Sequence, residues 1–200
     1  MTAMRIYLLL GWLLLPIVAL AFHLGPGQER QTLDDAGRLL AQVERHVAAQ
    51  EWDAVVETCD EALKVLPKDR VADGHRIMLE RAKARMLVKQ LPVAHGELKG
   101  LVDDLQADPA TDPALLADAQ AALANAEYYM TWLMRLEGKS KEEWEPEIEA
   151  SRQTFRLLAE QAEAAGDEPL ARRHREDLES SIRLARMDLT ELQGLPLPSQ

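Results

Sequence analysis

The stretch QEWDAVVETCDEALKVLPKD, residues 50–69, places apolar side chains at the spacing of one face of an α-helix. These side chains recur every three or four residues, at Trp52, Val55, Cys59, Ala62 and Leu63. Pro67 ends the run, because proline cannot continue a helix. The pattern predicts a helix over about residues 52–66. It is either a lone amphipathic helix or one half of a repeated two-helix unit.

Composition extends this helical prediction to the whole chain of 200 residues. Aromatic residues make up only 4% of it, while alanine, leucine, glutamate and arginine are abundant. All four of these residue types are good helix formers. No stretch alternates apolar and polar residues for long enough to indicate a strand. We therefore expect an all-α fold.

Charge and chemistry-bearing residues exclude several classes of function. The net charge of −11 repels phosphate backbones, so nucleic acid is not an expected partner. Cys59 is the only cysteine, which excludes an intramolecular disulfide and a CxxC site. The five histidines show no metal-ligand spacing, and the chain has no HExxH, GxSxG, P-loop or GxGxxG motif. We therefore expect no catalytic residues, no cofactor and no metal site.

The first residues predict a membrane segment. Arg5 precedes an uncharged apolar run of 19 residues, 6–24, and a membrane-spanning helix needs about 20. The basic end stays on the cytoplasmic side, so the remainder lies outside the cytoplasm. The alternative is a signal peptide cleaved after Ala21, since Ala19 and Ala21 give the small-x-small pattern of such sites. Cleavage would make the protein secreted.

The chain divides into an anchor or signal peptide (residues 1–28), a helical domain (29–192) and an extended, proline-containing tail (193–200). Turn signals divide the domain into seven helices. They are predicted over residues 32–49, 52–66, 69–89, 93–106, 113–137, 140 or 144 to 165, and 169–192. On the last helix, opposite charges four residues apart predict a ladder of ion pairs that includes Arg175 with Glu179.

The first predicted hairpin, residues 32–66, resembles a tetratricopeptide repeat (TPR), and the match extends over about residues 32–67. Relative to that pattern, Trp52 opens the second helix, Val55 and Ala62 take the small crossing positions, and Cys59 takes a bulky position. Pro67 closes the unit.

This resemblance implies an α-solenoid of three hairpins, 32–66, 69–106 and 113–165, capped by the seventh helix. The first helices of the hairpins would then line a concave surface, which TPR proteins use to hold peptides or other proteins. Two groups of residues are candidates for binding a partner there. One is a polar set on the first helix: Arg38, Gln42, Arg45 and His46. Arg76, Glu80, Lys83 and Arg85 extend this set onto the third helix.

The second group is Tyr128 and Trp132 on the fifth helix, because aromatic residues favour binding surfaces. Structural alternatives remain open for both groups. The polar set is also typical of a solvated helix face. Trp132 could instead pack in the core against Trp144 or Phe155 of the facing helix.

Together these patterns predict a non-enzymatic, membrane-tethered scaffold that binds a protein partner in an envelope complex. An alternative is a structural module that assembles with itself through the tail or the seventh helix. An enzyme that uses helical carboxylates is a third hypothesis. The sequence leaves the identity of the partner and the oligomeric state open.

Overall fold

The computed structural model describes the backbone of residues 26–193 and the side chains of residues 36–192. Every regular element in this part of the chain is a helix, which confirms the all-α prediction. Eight helices lie within it: α1 (Pro26–Ala49), α2 (Trp52–Val65), α3 (Val71–Leu87), α4 (Leu91–Ala107), α5 (Pro113–Leu136), α6 (Lys141–Ala165), α7 (Glu168–Arg186) and α8 (Leu189–Gln193).

The helices pack in chain order. From α1 to α7 each helix packs against the next, α3 also contacts α5, and the short α8 packs back onto α5. The buried apolar side chains form three clusters: one between α1, α2 and α3, one between α3, α4 and α5, and one that joins α5 to α8. Because α3 and α5 each belong to two clusters, the hydrophobic core is continuous from the first hairpin to the last helix.

The first cluster is built on the stretch that opened the sequence analysis. Val55, Cys59 and Ala62 are each 0% exposed, and they lie against Leu39 and Val43 of α1. Small side chains at these positions let the two helices approach closely, as in the interior of any well-packed helical protein. These residues therefore contribute to the core of the first hairpin.

A network of charged side chains joins α2, α3 and α4. Arg81 donates to Asp60 of α2 at 2.6 Å and to Glu97 of α4 at 2.8 Å, and Arg85 pairs with the same two carboxylates. Both arginine side chains are only about 15% exposed. Arg85, predicted to lie on the partner-binding surface, therefore bridges helices within the fold instead.

Small polar residues allow α5, α6 and α7 to meet. The Ser151 hydroxyl donates to the Ala124 carbonyl of α5 at 2.9 Å and lies 3.2 Å from the Ser181 hydroxyl of α7. Both serines are 0% exposed, and Ser181 also bonds to the Asp177 carbonyl of its own helix. Hydroxyl groups whose hydrogen bonds are satisfied cost little to bury, so these serines can lie between the three helices.

The predicted start of the first helix is wrong. The structure begins α1 at Pro26, six residues before the expected cap at Thr32. Proline is well suited to the first helical position, because its missing N–H would have no partner there. The helix therefore crosses the predicted boundary between residues 28 and 29.

At α6 the structure shows the earlier of the two predicted starts: Ser140 caps the helix, and Pro146 lies inside it.

The predicted end of the seventh helix is also wrong. Helix α7 ends at Arg186, and Met187 has an extended ψ of 145°. Asp188 and Glu191 then cap α8 reciprocally, each side chain accepting from the backbone N–H of the other, at 2.8 and 2.9 Å. This capping box competes with continuation of the helix.

The predicted membrane run at residues 6–24, the cleavage site after Ala21 and the tail at 193–200 lie outside the part of the chain whose side chains are described. Among the described residues, no helix is long and apolar enough to cross a membrane.

Candidate functional site

A groove of about 730 Å³ runs between α3, α5 and α7. Its floor is formed by small side chains of α5, namely Ala114, Ala117, Ala121 and Ala122. Apolar side chains of all three helices contribute to its walls: Met86, Leu87, Tyr129 and Leu170. The groove thus combines small side chains on α5 with large apolar groups from all three helices.

The sequence of α5 explains this shape. Residues three and four positions apart lie on the same helix face, and Ala114, Ala117, Ala121 and Asn125 follow this spacing. Alanine side chains end at Cβ, so α5 is recessed between its neighbours along this face. The Asn125 side-chain amide donates to the Ala121 carbonyl at 3.1 Å and is thereby held along the helix.

Charged side chains border the groove on both sides. On the α3 side, Lys83 forms ion pairs with Asp118 at 2.7 Å and with Glu80 at 3.1 Å. Burial lowers the pKa of Lys83, but the hydrogen bond that Lys83 donates to Asp118 and the negative charges of Asp118 and Glu80 outweigh it, so the net pKa lies above its usual value. On the α7 side, Arg173 is exposed and, within the described part of the chain, forms no ion pair.

His174 lines the groove from α7 and is 7% exposed. Its ring stacks on Phe155 of α6, with centroids 6.2 Å apart and planes at 29°. Its Nδ1 atom is buried without a hydrogen-bond partner, since the nearest carboxylate oxygen, of Asp177, lies 3.9 Å away. Burial lowers the pKa of His174 and raises that of Asp177.

The predicted aromatic residues occupy different places. Trp132 is 7% exposed and belongs to the third cluster, as the core-packing alternative expected. Tyr128 is half-buried beside that cluster, and its ring meets the Tyr129 ring edge-on at 5.2 Å. Tyr129 is the aromatic residue of this helix that lines the groove, and it also packs against the second and third clusters.

The predicted polar set on α1 lies elsewhere. Arg38, Gln42, Arg45 and His46 all belong to α1, which contributes no residue to the groove. The Arg45 Nε donates to the Ala41 carbonyl of its own helix at 3.2 Å. The His46 Nδ1 lies 2.6 Å from a Glu51 carboxylate oxygen. Of the polar residues predicted on α3, Lys83 is the one that reaches the groove.

The two ends of the TPR-like pattern in α2 are partly buried. Trp52 is the first residue of α2 and packs against the first cluster, and Pro67 follows two residues after the end of α2. These positions are compatible with the packing roles that the resemblance implies.

The structure also brings together three residues that the sequence did not single out: His95 of α4, Glu127 of α5 and Glu147 of α6. They are 32 and 20 positions apart, so no local motif connects them. The one signal was a glutamate inside the apolar face of the fifth helix, between Ala126 and Tyr128. Burial and the nearby Glu147 carboxylate raise the pKa of Glu127 to about 8.

Comparison of the chain with protein-family models, with curated proteins and with solved structures gave no match. The functional proposals that follow therefore depend on the geometry and chemistry of the chain itself.

Proposed function

We propose that this protein is a non-enzymatic scaffold, tethered to a membrane by residues 6–24, whose helical domain binds a protein partner outside the cytoplasm. In this proposal the domain is a TPR-like solenoid of three hairpins, α1–α2, α3–α4 and α5–α6, capped by α7. Packing of helices in chain order supports it, because each hairpin buries its apolar face against the next one.

The alanine-floored groove is the observation that carries this proposal. It is lined by α3 and α5, which are the first helices of the second and third hairpins, and by α7. These three are every second helix along this part of the chain. This is the side on which the resemblance predicts a concave binding surface. A recessed floor with Met86, Tyr129 and Leu170 at its sides suits an apolar segment of another chain.

The charged side chains at the borders of the groove further define the ligand that we propose. Lys83 is already paired with Asp118 on one border, while Arg173 forms no ion pair among the described residues on the other. A guanidinium in this position binds a carboxylate through paired hydrogen bonds. The proposed ligand is therefore an apolar segment, helical or extended, that carries an acidic residue opposite Arg173.

The test is crosslinking of the full-length chain in intact membranes, followed by mass spectrometry of the crosslinked products. Ala121→Arg fills the groove, and Ala164→Arg makes the same change at an exposed position near the end of α6. Arginine is a good helix former, so neither change disturbs its helix greatly. We expect Ala121→Arg to reduce recovery of the partner by at least about tenfold, which corresponds to 1.4 kcal/mol of binding.

Ala164→Arg should recover the partner as well as the unaltered chain does. Arg45→Glu tests whether the polar set on α1 extends the same contact surface. A recurrent partner whose recovery survives both Ala121→Arg and Arg173→Glu would contradict the proposal. Crosslinks between copies of this chain alone would favour the self-assembling module instead.

A further inference from the structure

Three potential metal ligands converge where α4, α5 and α6 meet. His95, Glu127 and Glu147 each offer one ligand atom, and these atoms all lie within 4.8 Å of one another. The His95 Nε2 and a Glu147 carboxylate oxygen are 3.1 Å apart. A tetrahedral zinc ion with bonds of 2.0–2.1 Å holds its ligand atoms about 3.3 Å apart, so one pair already has this spacing.

Glu127 is the buried member of the group. It is 8% exposed, and its Oε2 atom is buried without a hydrogen-bond partner. The His95 and Glu147 side chains are 16% and 29% exposed, so the group opens to solvent on one side. A buried carboxylate oxygen without a partner is costly, and native structures seldom retain one without a reason.

Within the described chain, the basic side chain that contacts this pair of carboxylates is His95, 3.1 Å from Glu147, and it carries charge only when protonated. Neither Glu127 nor Glu147 forms an ion pair with lysine or arginine there, and Lys99 acts on Glu127 through its charge alone. Asp60 and Glu97, in contrast, are held by two arginines in the network between α2 and α4. In the described chain, the Glu127 and Glu147 carboxylates therefore lack the arginine partners that Asp60 and Glu97 have.

We propose that His95, Glu127 and Glu147 bind a divalent transition-metal ion, for which zinc is the best match. One imidazole and two carboxylates are ligands that zinc accepts, and the two negative charges balance its charge. Three protein ligands leave a fourth position for water or for a group of another molecule. The ion joins three successive helices, and this inference is independent of the groove.

The alternative without a metal is a proton held between the two carboxyl groups, as in other close carboxylate pairs. The two cases differ in whether metal binding is saturable and in how zinc changes the stability of the Glu127→Gln variant. Glutamine has the size and the neutral charge of a protonated glutamate, so without metal the Glu127→Gln variant should be at least as stable as the unaltered chain. With zinc, only the unaltered chain should gain stability.

The experiment uses the full-length chain in mild detergent, without a histidine tag and after treatment with a chelator. Zinc is titrated by calorimetry, and the midpoint of thermal unfolding is measured with and without the ion. We expect one zinc ion per chain. His95→Ala, Glu127→Gln and Glu147→Gln should each weaken binding by at least about 100-fold, since losing even an outer partner of a ligand costs 10–100-fold.

His46→Ala is the matched control, because His46 also contacts a glutamate, Glu51, but belongs to no three-ligand group among the residues that the structure describes. It should leave both stoichiometry and affinity unchanged. Cobalt, bound in place of zinc, should give the intense visible absorption of a tetrahedral site in the unaltered chain and lose it in Glu127→Gln. Absence of saturable binding, or binding that survives all three ligand substitutions, would overturn the proposal.

Discussion

Cys59 shows how burial decides the chemistry of a single residue. Its thiol lies between α1, α2 and α3 with 0% exposure, and burial, assisted by the nearby Glu80 carboxylate, raises its pKa to about 12. Since the thiolate is the reactive form, this thiol should be inert in the folded chain. We expect a thiol reagent to label Cys59 only after denaturant unfolds the protein. Rapid stoichiometric labelling of the folded chain would contradict the packing of the first hairpin.

His174 predicts a pH dependence of stability. Burial holds its pKa below the usual 6.5, so between the two values the unfolded chain binds more protons than the folded chain. The free energy of unfolding should therefore fall as the pH drops through 6.5. Of the charged groups around His174, Asp177 raises its pKa and Arg173 lowers it, without cancelling the effect of burial.

His174→Gln should reduce this loss, because glutamine does not titrate. Urea unfolding of both chains at pH 7.5 and pH 5.5 measures the difference. All other titrating groups are common to the two chains, so their contributions largely cancel. An equal loss of stability in the two chains would show that His174 is not held neutral by the fold.

At the scale of elements, the charged network predicts which helix contacts depend on ion pairs. Arg85→Met keeps the apolar stem but leaves Asp60 and Glu97 less compensated, and we expect a loss of about 2 kcal/mol in the free energy of unfolding. Arg70→Met is the control, since the Arg70 side chain is 50% exposed and its pair with Asp73 lies within one helix turn. The control should cost less than about 0.5 kcal/mol in urea unfolding. Equal losses of stability in the two variants would show that the network contributes no more to stability than a surface ion pair does.

The end of α7 depends on one side chain from another helix. Arg135 of α5 donates to the carbonyls of Leu184 and Met187, and it lies 4.8 Å from the centre of the Trp144 ring. These bonds satisfy carbonyls that every helix end leaves without a partner. Arg135→Met should speed hydrogen exchange in residues 184–193 while leaving α2 unaffected. Unchanged exchange there would mean that the packing of Leu192 alone holds α8.

Helix boundaries were predictable where one residue dominates locally. Pro113 with its cap Asp112 marked the start of α5, while Ser140 with Glu143 marked one of the two starts that the sequence left open for α6. The end of α7 was not predictable, because Asp188 and Glu191 had to be recognised as a second cap inside a helical pattern. The predicted ion pair between Arg175 and Glu179 does not form in the described chain. Arg175 bonds instead to Glu163 of α6 and to Glu168, because α6 packs beside it.

At the scale of the whole molecule, function-related surfaces depend on residues far apart in sequence. Local spacing along α5 indicated one apolar stripe, but whether a given side chain reaches the core or the groove depends on neighbours from α3 and α7. Tyr129 therefore lines the groove, whereas Trp132 takes the core position that was one of its two expected places. The His95, Glu127 and Glu147 group was invisible for the same reason, since three helices must pack before its ligand atoms meet.

Packing in chain order has a consequence for how the protein is made. Apart from α3 with α5 and α5 with α8, the main helix contacts in the described chain join sequence neighbours. Few long loops have to close before the core forms, and such topologies fold rapidly. As the chain is synthesised from its N-terminus, each new helix meets a neighbouring helix that has already formed. The domain can therefore assemble hairpin by hairpin, with little apolar surface left uncovered at any stage.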